Sequence, residues 1–219
     1  VKLTPLQERL LVDILDLGSP YPLVLTGGYA VQAHGLVERF SRDLDVATEN
    51  PAPMEEIIAS LTAGLTARGW RTTHVQSDPL SGRFLVTAPD TGEECEVDVL
   101  KEAFWAPPAQ TPYGPVLSLD DVIGTKVRAL ADRGTVRDLI DVQAASRHRS
   151  TADLESLGRR RTQDEFSLED LRDRLTGAEW YEDEDYAAYG LNPRQIDELK
   201  AWALAWATDL GERIHDENA

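Results

Sequence analysis

The polar and apolar positions of this chain change period several times before they settle. Apolar side chains recur at Leu6, Leu10, Leu11, Ile14 and Leu15, the spacing of one helical face. Thr4-Pro5-Leu6-Gln7 supplies an N-cap, a proline at the first helical position and a glutamine at the third, and Gly18-Ser19-Pro20 stops the helix. Residues 22–26 are short and apolar and read as a buried strand. Tyr29 to His34 reads as a short helix closed by Gly35, and Asp43 to Ala47 as a second strand. Pro51-Ala52-Pro53 opens a helix that runs to about Arg68. Three strand-like runs follow, Trp70 to Val75, Arg83 to Thr87 and Cys95 to Leu100, separated by turn-rich segments at 77–82 and 89–92.

A proline-rich loop containing Pro107, Pro108, Pro112 and Pro115 marks a change of character. After it the pattern is helical. Ser118-Leu119-Asp120-Asp121 resembles a capping box for a helix to about Asp132, and a second helix covers roughly Val136 to His148. Helices are also predicted at Ser167 to Leu175 and from Asn192-Pro193 to about Ile214. In the last, Trp202 and Trp206 align with Leu199 and Leu210 as a packing face. The acidic and aromatic run from Glu179 to Tyr186 reads as a solvated loop. Strands that first alternate with helices and then meander predict an α/β (α+β) fold, a mixed β-sheet core with packed helices. The boundary falls between a core at 1–116 and a helical region at 117–219.

Composition narrows the partners. With 39 acidic against 22 basic residues the net charge is −17, which argues against broad, non-specific binding to nucleic acid. Residues 153–219 alone carry 18 acidic against 8 basic side chains. Basic residues gather instead at Lys126, Arg128, Arg133, Arg137, Arg147 and Arg149, with Arg159, Arg160 and Arg161 just beyond, a local positive region suited to a phosphate-bearing ligand. No apolar run approaches a membrane span, the first residues lack the apolar stretch of a signal peptide, and Cys95 is the single cysteine. The expectation is a cytoplasmic protein without a membrane partner.

The chemistry starts at Asp43 and Asp45. One residue apart in a strand, they point to the same face, where two carboxylates repel unless a cation or a proton intervenes. Hard ions such as Mg2+ take such oxygens and keep positions open for substrate phosphates. Upstream, Gly27-Gly28 ends an apolar run in a turn whose bare backbone can approach a phosphate. In the 95–100 run, Glu96 and Asp98 alternate with Cys95, Val97 and Val99. If that strand lies beside the Asp43–Asp45 strand, Asp98 becomes a third carboxylate, as a metal-assisted nucleotidyl transfer requires. Farther on, Lys126 and Arg133 are seven residues apart on one helix, while Arg137, Asp138 and Asp141 open the next. Lys126, with Arg133 or Arg137, suits the phosphates of a triphosphate, and Asp138 suits orienting one of those cations. Arg133, Arg137, Asp138 and Asp141 also read as an ion-pair network joining two helices, and Lys126 as an ordinary helix-surface lysine.

Together these motifs resemble those of the AbiEii/AbiGii nucleotidyltransferase toxins, which include MenT-like toxins and belong to the DNA polymerase β-like superfamily. The resemblance rests on Gly27-Gly28-Tyr29-Ala30, His34-Gly35, Arg39, Ser41-Arg42-Asp43-Leu44-Asp45, Glu96-Val97-Asp98, and the series from Lys126 through Arg133 and Arg137-Asp138 to Asp141. It covers about residues 20–148, with Gly27-Gly28 where the family's usual pair is Gly-Ser. It implies a nucleotidyltransferase core at 1–116, Mg2+ as cofactor and an NTP as co-substrate. It also implies Asp43 and Asp45 as metal ligands, Lys126 at phosphate and Asp138 as needed for activity. Relatives extend the 3′ end of tRNA and are neutralised by a cognate antitoxin, so tRNA and an antitoxin are the implied partners. Two other readings stay open: a small-molecule nucleotidyltransferase of the aminoglycoside or lincosamide resistance type, and a non-catalytic nucleotide-binding module.

Overall fold

The computed structural model describes residues 1–39, 41–160 and 166–217. The chain divides into two compact units, Val1–Leu119 and Asp120–Ala219. Among the described residues the first unit holds helices α1 (Pro5–Leu17), α2 (Gly27–Ala33) and α3 (Met54–Ala67). Its strands are β1 (Val24–Leu25), β2 (Leu44–Thr48), β3 (Arg71–Ser77), β4 (Ser81–Thr87), β5 (Glu94–Lys101), β6 (Ala109–Thr111) and β7 (Gly114–Val116). They form one mixed sheet in the order β3-β4-β5-β2-β1-β7-β6. β2 runs parallel to β5 and β1 parallel to β7, while the β1–β2, β3–β4, β4–β5 and β6–β7 pairs are antiparallel.

Alternation sorts the sheet residues between two faces. Leu44 and Val46 of β2 register with Val97 and Val99 of β5, and Phe84 and Val86 of β4 with Val97 and Cys95; all are buried. Gly82 belongs to this apolar face. A side chain there would strike Ile58 of α3 at 2.6 Å, so its absence lets the helix seat. α3 buries Met54, Ile57, Ile58, Leu61 and Leu65, and α1 buries Leu6, Leu10, Leu11 and Ile14. Each such residue stabilises by about 1.5–3 kcal/mol on leaving water. α1 starts where its sequence predicts, with Thr4 and Gln7 closing a capping box. Interleaved on the other sheet face are the polar residues Asp45, Glu96, Asp98 and Arg83.

Two strands were not expected at all. β6 and β7 lie in the segment predicted as a proline-rich loop, folded back on each other around Pro112-Tyr113 with Pro115 opposite Gln110. Three-residue strands carry too little alternation to register as a period. The predicted strand at 43–47 begins one residue later, leaving Asp43 in the bend before β2.

The second unit comprises α4 (Leu119–Arg133), α5 (Val136–Ala145), α6 (Thr151–Arg159), α7 (Leu168–Thr176), a 3-10 turn at Gly177–Trp180, α8 (Asp183–Ala187) and α9 (Pro193–Glu217). In α9, Leu199, Ala203, Trp206 and Leu210 are buried, the predicted packing face. Trp206 donates its indole N–H to Glu155 Oε1 at 3.0 Å, and Arg213 reaches both oxygens of the same buried carboxylate. The segment read as a solvated acidic loop is instead folded. Tyr186 is fully buried, its hydroxyl donates to the Ala178 carbonyl at 2.7 Å, and Tyr181 meets its ring edge-on. One aromatic with a satisfied hydroxyl anchors a segment whose charges all face water. Of the basic residues at 159–161, Arg161 lies outside the described residues. Among the described residues no helix is long and apolar enough to cross a membrane.

Candidate active site

In the first unit the site is assembled across three neighbouring strands. Register pairs Asp45 of β2 with Asp98 of β5, and Asp98 with Arg83 of β4. Direct partners project from the same face about 5 Å apart, so Asp45, Asp98 and Arg83 form a row. Glu96, two residues before Asp98, shares the face. The condition placed on Asp98 by the sequence, a strand neighbouring the Asp-x-Asp strand, is met.

Asp98 is held by arginine. Arg83 donates from Nε to Oδ1 at 2.6 Å and from Nη2 to Oδ2 at 2.7 Å, with Nη1 3.1 Å from Glu96. The hydrogen bonds to Asp98, reinforced by the charges of Asp98, Glu96 and Asp43, hold the Arg83 guanidinium more firmly protonated than usual. Sequence reading missed Arg83. The signal was in the β4–β5 hairpin: closure at Thr87↔Glu94 counts back to Arg83↔Asp98. Lys101, three residues after Asp98, donates instead to the Asn50 and Ala52 carbonyls.

Gly27 explains how Asp45 is placed. The glycine pair forms the first turn of α2 rather than a free loop, and Gly27 has a φ of +60°. A Cβ at Gly27 would lie 1.8 Å from Asp45 Oδ2, so the carboxylate rests where another residue would put a methyl. Gly28 is also confined: a Cβ would sit 2.6 Å from Ser41 Oγ and 3.9 Å from Arg39 Nη1. The bend that carries Asp43 is tied down from behind. Gln7 donates to the Ser41 and Arg42 carbonyls at 3.2 and 3.1 Å, and Tyr29 to the Ser41 carbonyl at 2.9 Å. Gln7 and Tyr29 are positioning residues that sequence reading assigned only to a cap and a short helix. Burial, with the charges of Asp43 and Asp45 adding, pushes the Cys95 thiol up to about 11 and raises the Tyr29 phenol further. Neither is an anion at neutral pH. His34 caps α2, its Nε2 2.7 Å from the Leu117 carbonyl.

The donor set suits a hard divalent cation, since Asp43, Asp45 and Asp98 offer carboxylate oxygens alone. The place a Cβ on Gly27 would take is filled by the Asp45 carboxylate itself, which the glycine thereby holds against the backbone. Among the described residues no three acidic, imidazole or thiol groups converge as a ready-made cage, and Asp98 is engaged by Arg83.

In the second unit the motif residues form two ion pairs between α4 and α5. Lys126 Nζ lies 3.0 Å from Asp141 Oδ2, both buried. Arg133 donates from Nε and Nη2 to the two oxygens of buried Asp138 at 2.8 and 2.9 Å, while half of its own side chain stays exposed. Asp138 also closes the capping box of α5 with Thr135. Burial opposes its ionisation, but the hydrogen bonds from Arg133 and Thr135 and the charges of Arg133 and Lys126 outweigh it and hold the carboxyl below its usual range. Arg137 sits half-buried on the first turn of α5. Breaking a buried pair strands a charge, so Asp141→Ala is expected to lower stability by about 3–5 kcal/mol, whereas Lys126→Met with Asp141→Leu costs far less. Urea denaturation of both variants checks this.

JHP933 from Helicobacter pylori shares the fold at 19% identity and a TM-score of 0.56, over 99% of this chain and 98% of that one. MenT4, a nucleotidyltransferase toxin from Mycobacterium tuberculosis, shares it at 19% identity and a TM-score of 0.57, over 92% and 83%. No curated protein matches the sequence. The family model for the nucleotidyl transferase AbiEii toxin of type IV toxin–antitoxin systems matches residues 9–209, and the chain belongs to that family of nucleotidyltransferases.

Proposed function

We propose that this nucleotidyltransferase uses Mg2+ to move a nucleotide from an NTP to an RNA acceptor, the 3′ end of tRNA, as the toxin of a cytoplasmic toxin–antitoxin pair. The observation that carries the reading is the acidic row: Asp45, seated against the bare backbone of Gly27, stands in register with Asp98, and Asp43 lies two residues before Asp45. Such a row of opposed like charges is costly in a sheet and is retained where a cation uses it. Asp43 and Asp45 are the proposed metal ligands and Asp98 the third carboxylate. When bound, the metal neutralises the triphosphate and lowers the pKa of the attacking hydroxyl.

The chain's own groups then have distinct tasks. Gly27 and Gly28 keep side chains away from the segment that meets phosphate. Asp98 is the acceptor for the hydroxyl proton when it does not ligate. Lys126 and Arg133 are the cations proposed for the phosphates, with Arg137 assisting. Asp141 and Asp138 hold the two principal ones in place, and Asp138 clamps Arg133 through both oxygens while that side chain stays half exposed. A cognate antitoxin, implied by the family, would silence this activity.

Incubating the protein with α-labelled NTPs, Mg2+ and total tRNA tests the proposal. Label is expected on the RNA with at least one of the four NTPs, and is lost with EDTA. Absence of transfer to RNA with all four, alongside transfer to an aminoglycoside or lincosamide, would replace the RNA reading with a small-molecule one.

A further inference from the structure

We infer that Arg83 is the resident counter-ion of Asp98 and sets the metal affinity of the acidic row by competing for that carboxylate. The inference rests on the metal reading above and concerns what the row does before a metal arrives. Asp45 and Asp98 are direct strand partners, an unfavourable pairing of like charges, with Glu96 on the same face. Next in the row stands an arginine whose fork takes both Asp98 oxygens and also approaches Glu96. Asp98 is 15% exposed, while the Arg83 side chain is 44% exposed and has solvent to swing into.

A bidentate arginine–carboxylate pair is among the stronger side-chain interactions, and a divalent ion at the same carboxylate would repel the guanidinium. Asp98 can therefore serve Arg83 or a metal well, but not both at full strength. The arginine keeps the ligand-free sheet stable, and its displacement is a cost subtracted from metal binding. A purely structural salt bridge would affect stability and leave metal affinity unchanged, which separates the two.

The probe is Mn2+ alone, titrated against the full chain and followed by the EPR signal of the free ion. Arg83→Met is expected to bind Mn2+ about 3- to 10-fold more tightly than the natural chain, to melt lower in EDTA, and to gain more in Tm from Mn2+. Arg83→Lys, which keeps the charge and loses the fork, should shift affinity the same way by less and serves if the methionine variant does not fold. In an Asp98→Asn background, Arg83→Met is expected to lose most of its effect, since the competition runs through that carboxylate. Unchanged or weaker Mn2+ binding by the Arg83 variants, or an equal gain with Asp98→Asn, overturns the inference. Undiminished Mn2+ binding by Asp45→Asn, or none by the natural chain, instead overturns the metal reading beneath it.

Discussion

Replacing Asp45 by asparagine is expected to lower nucleotidyl transfer about 10^3-fold or more while leaving the fold intact. The two side chains have nearly the same shape, so the contact with Gly27 survives; only the charge goes. A group that helps hold a catalytic cation contributes several kcal/mol to the transition state, and each 1.4 kcal/mol is tenfold in rate. Removing the charge also relieves the opposition between Asp45 and Asp98. Stability should therefore change by less than about 1 kcal/mol. Functional charges often carry this signature, a large loss of activity at almost no cost in folding. Single-turnover transfer assays and urea denaturation on the same preparation measure the two effects. A variant that loses both together would mark Asp45 as a structural residue.

Gly27→Ala is expected to cost activity and stability together. The added methyl would sit 1.8 Å from Asp45 Oδ2 and 2.4 Å from its carboxyl carbon, and the backbone there has a φ of +60°. Both penalties are unavoidable. The left-handed backbone costs a non-glycine residue about 1–2 kcal/mol, and Asp45 must rotate away to make room. Transfer should fall by at least about 10^2-fold, because misplacing a reacting group by an ångström has that effect. Stability should drop by about 1–3 kcal/mol. Gly35→Ala is the matching control, since Gly35 has a φ of +70° but nothing within 4 Å of its Cβ position. It should show the backbone penalty and keep activity.

The acidic row was open to sequence reading because period two is unambiguous. Glu96 and Asp98 alternate with Cys95, Val97 and Val99, and Asp45 stands between Leu44 and Val46, so those polar faces were set before the strands were paired; Asp43, in the bend before β2, lies outside the reach of that period. What the pattern could not supply was a partner from a strand whose own register was unknown. Arg83 looked like an ordinary polar position in β4, and its role appears only once Thr87 is set opposite Glu94. The burial of Lys126 was hidden differently. A lysine on a helix is usually a surface charge, and its burial against Asp141 depends on how α4 and α5 fold back around Gly134. β6, β7 and α8 were lost because each is short and draws its stability from neighbours. Tyr186, closed over by its own unit, holds α8 in place where composition alone suggests a loop.

The central claim is that the Asp43–Asp45 pair beside Gly27 is a cation site. Crystals soaked in Mn2+ and measured for anomalous scattering test it most directly. The account predicts a peak within about 2.0–2.3 Å of oxygens from Asp43 and Asp45, absent from Asp45→Asn crystals. A fully soaked crystal with no peak at that pair, or with an unchanged peak in the variant, would contradict it.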